Sequence, residues 1–178
     1  LVFKTLSDFP SCEPIQKEIW RLFTNSLLHN DIGHLISNSI FIYFVGYMLE
    51  NIVGPKYILI YFLGSVLGGN LACAYINRFI ISFGASGGAM GLSGALLGTI
   101  ILNFDILKYR LFFILFAISI LGITLDLIFY NVDYQENIGY ISHWFGFING
   151  LCLSTYLSKT IIEHKIKTFI KITSINIF

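Results

Sequence analysis

The stretch "FGASGGAMGLSGALLG" occupies residues 83–98 and decides how the chain is read. One serine, Ser86, stands between glycines at the head of a run that stays uncharged to Leu102. That run is about the length a helix needs to cross a hydrocarbon core of roughly 30 Å. Two roles compete for Ser86: a nucleophile, or one more small residue that lets membrane helices approach closely. Gly87, Gly91, Gly94 and Gly98 recur at spacings that put them on neighbouring positions of one helix face. Further down the run, Gly91, Gly94 and Gly98 are read as packing residues of a helix deep in a bundle.

The whole chain supports a membrane setting. Of its 178 residues, 56% are hydrophobic and 12% charged, against roughly 25% charged in soluble domains. A soluble domain of this size lacks the interior to hide so much apolar surface, including 17 Phe and 10 Tyr. The net charge of +1 gives no argument for nucleic acid. Cys12, Cys73 and Cys152 are odd in number, widely spaced and without zinc spacing, and are read as small packing residues.

Five apolar spans follow: residues 34–49, 57–76, 84–102, 111–129 and 141–157. Backbone groups in lipid must be satisfied within the span, so each is expected to be a helix. The fold class is therefore all-α, a polytopic membrane helical bundle. With the N-terminal segment outside, the inner side holds Lys56, Lys108, Arg110, Lys159, Lys165, Lys167 and Lys171. The outer side holds Lys4, Lys17, Arg21 and Arg78, which agrees with the positive-inside bias. The expected division is residues 1–157 as the membrane domain, with 1–33 an outer loop and 34–157 the spans. Residues 158–178 are expected to be a basic tail lying as a helix along the inner surface.

Polar groups are costly inside such spans, so each is informative. His34 and Asn38 are four apart and share a helix face; His29 lies just before them. His143 opens the last span and Ser86 the third. The alternation of spans puts the starts of the first, third and fifth on the outer side. Ser86, His143, His34 and Asn38 are therefore expected at one depth, a short way below the outer surface. A serine hydroxyl is a weak nucleophile until a base removes its proton, and His143 is the candidate base. Asn38, His34 and the Ser86 backbone N–H are the candidate oxyanion donors. Gly84, Gly87 and Gly88 allow a tight turn and close approach of a substrate chain. Asp126 is a candidate to orient His143. Trp20 and Arg21 suit interface anchors or a more specific structural role.

Three motifs then coincide: "WRLFTNSLLHNDIGHLISN" (20–38), "GASGG" (84–88) and "HWFGFING" (143–150). In that order and in those spans, the chain resembles rhomboid intramembrane serine proteases. The resemblance implies a six-helix core, its first helix lying before Leu1. It implies a Ser86–His143 dyad with no third acid, and an oxyanion held by His34, Asn38 and the Ser86 amide. His29, Gly84, Gly87 and Met90 would support the site, and Trp20, Arg21, Glu50, Gly146 and Gly150 would be structural motif positions. Where the family often carries an aromatic four residues after the nucleophile, this chain has Met90, which packs against an imidazole but orients it less firmly. The expected substrates are transmembrane proteins. No metal or cofactor is implied, and the site would open to the outer side of an integral multi-pass protein embedded in membrane lipid. The loop 130–140 is long and would shape access.

The alternatives are a rhomboid-like pseudoprotease, a soluble hydrolase, a metalloprotease and a transporter. The first would bind membrane clients without cutting, but such proteins typically lack the serine or the histidine. Gly84–Gly88 also fits the G-x-S-x-G elbow of a soluble hydrolase, with Asp126 or Asp133 and His143 following. That elbow needs alternating strands and amphipathic helices around it, and this chain offers apolar spans instead. "HNDIGH" (29–34) lacks the spacing and the glutamate of a zinc protease. A transporter would show more polar groups at the midplane.

Overall fold

The computed structural model describes residues 18–76, 83–103 and 140–175, with side chains of the last segment described to residue 157. The expected span 111–129 with Asp126, residues 1–17 with Cys12, and the loop 130–139 lie outside them. All regular structure in the described residues is helical: α1 (Arg21–Thr24), a 3-10 turn (Asn25–Leu27), α2 (Ile32–Val53), α3 (Pro55–Ile76), α4 (Ser86–Asn103) and α5 (Tyr140–Ile175). Helices α2, α3 and α4 are each long and apolar enough to cross a membrane.

Local chemistry sets the helix ends. Asp31 caps α2, its Oδ1 accepting the His34 N–H at 2.9 Å, which satisfies one of the orphan donors of the first turn. Helix α2 stops at Gly54, whose φ of +94° is open to glycine, and Pro55 begins α3. Glycine after a helix and proline at the first position of the next are each favoured there. The first span is therefore longer at both ends than residues 34–49. Helix α5 continues unbroken from the apolar segment into the basic tail, so the expected span and the expected tail helix are one element.

Helix α4 is central. In its most apolar stretch 78% of residues are buried, against 22% in α2, although α4 is the least hydropathic of the three. Glycine explains the inversion. A Cβ on Gly150 would run into the Gly91 carbonyl, and one on Gly146 into the Gly87 carbonyl. From the other side, Gly94 faces the Phe147 carbonyl and Gly98 the Ser154 hydroxyl. Helices α4 and α5 thus meet backbone to backbone and form the most extensive pairing among the described residues. In lipid, such close van der Waals contact replaces hydrophobic burial as the force between helices. On its other side α4 sends Leu92, Ala95, Leu96 and Ile100 into a core with Val45, Leu49 and Tyr61. Cys73 is buried as a packing residue should be, whereas Cys152 is exposed.

Candidate active site

Three helix beginnings meet at one end of the bundle. Ser86 is the first residue of α4, and His143 and His34 lie in the first turns of α5 and α2. The chain enters α4 through Gly84, whose φ of +112° is strained for any residue with a side chain. The Gly84 N–H donates to the Asn25 carbonyl at 2.9 Å, which ties this turn to the segment before α2. The turn delivers Ser86 to a helix N-terminus, where backbone N–H groups lack intrahelical partners and favour an anion.

His143 Nε2 lies 2.7 Å from Ser86 Oγ. The imidazole is buried, while Ser86 is only half-buried. His143 Nδ1 is buried too and has no hydrogen-bond partner among the described residues. When Nε2 accepts the serine proton, the ring's own proton must reside on Nδ1.

His34 closes the site from the α2 side. A Cβ on Gly84 would lie 3.4 Å from His34 Nε2 and 3.8 Å from Ser86 Oγ, so the imidazole and the hydroxyl border one small space. The His29 ring meets His34 edge-on, with centroids 5.0 Å apart. Asn38 sits one turn further along α2; it is buried, and its Nδ2 has no partner among the described residues. A buried amide without a partner carries a desolvation penalty of about 1–3 kcal/mol.

The other expected residues are distributed through the bundle, some beside this group and some far from it. Gly87 packs against the Ser142 hydroxyl, and Met90 is buried on the next turn of α4. Gly146 and Gly150 form the α4–α5 seam described above. Arg21 is buried rather than anchored at an interface, with its Nε 2.6 Å from Glu18 Oε2. Trp20 beside it is exposed. Glu50 lies near the opposite end of α2, exposed, with its carbonyl accepting the Gly54 N–H.

Sequence reasoning passed over a buried polar cluster next to the site. Asn70 Nδ2 donates to the Leu22 carbonyl at 2.8 Å and to Asn25 Oδ1 at 2.9 Å. Ser142 Oγ donates to Asn70 Oδ1 at 3.3 Å. The available signal was Asn70 itself, an amide inside an otherwise apolar span, where a polar group is expensive.

Fold and site together define a helical membrane protein with a serine hydroxyl hydrogen-bonded to a histidine at one end of its bundle. Residues 16–160 match the Rhomboid domain, and the chain belongs to the rhomboid family. RHOMBOID-like protein 1 of Arabidopsis thaliana is 34% identical over 136 residues, which is 76% of this chain and 34% of that protein. Rhomboid-like protease 3 of Toxoplasma gondii is 28% identical over 144 residues, 81% of this chain and 54% of that one. The Arabidopsis protein named Inactive RHOMBOID-like protein 8 is 34% identical over 95 residues, 53% of this chain and 27% of its own length. The chain therefore spans between 27% and 54% of these three relatives.

Proposed function

We propose that the chain is an intramembrane serine endopeptidase that cuts a transmembrane segment of another membrane protein. The observation that carries this reading is the 2.7 Å contact between His143 Nε2 and Ser86 Oγ. In the proposed reaction, Ser86 Oγ attacks the scissile carbonyl carbon as its proton passes to His143 Nε2. The carbonyl oxygen becomes an oxyanion, held by the Ser86 N–H, Asn38 Nδ2 and His34. Collapse of the tetrahedral intermediate breaks the C–N bond, and His143 returns its proton to the leaving amine. Water then attacks the acyl-serine, again with His143 as base, and restores the free hydroxyl. The scheme uses no metal or cofactor.

The proteolytic unit in this reading is residues 1–157, with 158–178 as a basic tail on the inner surface. The site opens to the outer side, and the protein is an integral membrane protein whose substrates share its bilayer. The alternative, a rhomboid-like protein that binds clients without cutting, draws on the relative named inactive. The presence of both Ser86 and His143 at hydrogen-bonding distance favours catalysis over it.

The test uses the purified chain in detergent with a fluorescent transmembrane test substrate. Cleavage is expected from the wild type and is lost in Ser86→Ala and His143→Ala, both of which keep their thermal transition. Cleavage retained by Ser86→Ala contradicts the reading.

A further inference from the structure

We propose that Asn70 is a positioning residue that holds Ser86 and His143 at their hydrogen-bonding distance. The proposal rests on the dyad reading above and names what keeps that dyad aligned.

Asn70 is buried in α3, and so are its partners Asn25 and Ser142. The Leu22 carbonyl can only accept, so it fixes which end of the Asn70 amide carries the N–H groups. Both N–H donors are then used, on Leu22 O and Asn25 Oδ1, and the amide oxygen accepts from Ser142.

Two arms lead from this amide to the reacting atoms. Along the first, Asn70 Oδ1 holds the hydroxyl of Ser142, the residue before His143. Ser142 is wedged between two glycines. A Cβ on Gly69 would lie 2.6 Å from the Ser142 carbonyl oxygen, and one on Gly87 would lie 2.6 Å from its hydroxyl. The start of α5 is thereby pinned against α3 and against the residue that follows Ser86. Along the second arm, Asn25 takes an Asn70 N–H on its side chain and the Gly84 N–H on its backbone carbonyl. That bond anchors the turn that presents Ser86.

Dyad alignment matters because small displacements of reacting groups are costly in rate; an offset of about 1 Å can lower it by about a hundredfold. Among the described residues no group bonds to His143 Nδ1, so none there orients the ring through that atom.

The test compares the full chain in detergent with Asn70→Leu, Ser142→Ala, the double variant and Asn149→Ala. Asn149 makes the control because its Nδ2 also bonds α5 to α3, at the Gly64 carbonyl 2.8 Å away, but further along α5 from His143. Thermal transition, kcat, KM and the rate of fluorophosphonate labelling are measured for each. Asn70→Leu and Ser142→Ala are expected to lower kcat and labelling rate by about tenfold or more with KM unchanged. The double variant is expected to be no slower than Asn70→Leu, since both act through one network. Asn149→Ala is expected to lower the thermal transition with kcat intact. If Asn70→Leu does not fold, Ser142→Ala carries the same expectation alone. Wild-type kcat in Ser142→Ala, or a fall in kcat that follows the thermal transition equally in Asn149→Ala, overturns the positioning role while leaving the dyad standing. A wild type that neither cleaves nor labels overturns the dyad, and the positioning role with it.

Discussion

Gly84 and His34 share a space that only a glycine can leave open. A Cβ on Gly84 would lie 3.1 Å from His34 Cε1, and the glycine's φ of +112° is a conformation side chains rarely adopt. Gly84→Ala therefore meets two penalties, backbone strain of about 1–2 kcal/mol and a push on the imidazole beside Ser86. Cleavage is expected to fall by about tenfold or more, the equivalent of some 1.4 kcal/mol at the transition state. Measuring kcat beside the thermal transition checks it, and wild-type kcat would contradict the role given to this turn.

In the proposed reaction, Asn38 is the residue expected to separate catalysis from stability. Its Nδ2 is buried and has no partner among the described residues, so removing it breaks no bond of that atom there. Asn38→Ala is expected to keep the thermal transition and to lower kcat by about a hundredfold or more, as loss of one oxyanion donor does. KM should change little, because the bond strengthens only as the oxyanion forms.

The seam between α4 and α5 depends on its glycines in a way that α2 does not depend on Gly46. Gly150→Ala forces a methyl onto the Gly91 carbonyl, a backbone group that cannot swing away. Overpacking of this kind costs about 1–3 kcal/mol, and the loss is read as a lower thermal transition in detergent. Gly46→Ala is the contrast. Its Cβ would meet Leu92 Cδ1 at 3.8 Å and Ile58 Cγ2 at 4.0 Å, ordinary contacts. Alanine there is expected to stabilise α2 by about 0.5–1 kcal/mol.

The α2 cap makes a smaller, local prediction. Asp31 Oδ1 accepts the His34 N–H, so Asp31→Ala frees the first turn that carries His34. A loss of about 1 kcal/mol is expected, seen as a modest drop in thermal transition. A gain in stability would contradict the capping role.

These residues also show what the sequence could and could not reveal. The glycine spacing in residues 84–98 pointed to a buried helix, and among the three candidate spans of the described residues α4 is the most buried despite being the least hydropathic. Ser86, His143 and His34 stood out because each is polar at the head of an apolar run, and helix geometry then fixes their common depth. Asn70 was passed over. Its partners Asn25 and Ser142 lie 45 and 72 residues away in the chain, and no local period links them. For Arg21 the sequence left two roles open, interface anchor and a more specific structural role, and its burial favours the second. Its burial beside Glu18 depends on packing that composition does not encode. The length of α5 was hidden for a related reason. The change from apolar to basic residues after Leu157 comes with no break in the helix.

The central claim is that Ser86 is a nucleophile activated by His143. It is tested most directly by exposing the purified chain in detergent to a fluorophosphonate probe and locating the adduct by mass spectrometry of its peptides. A single adduct on Ser86 is expected, absent after heat denaturation and strongly reduced in His143→Ala. No labelling of the folded wild type, or labelling of Ser86 at an equal rate in His143→Ala, would contradict the claim.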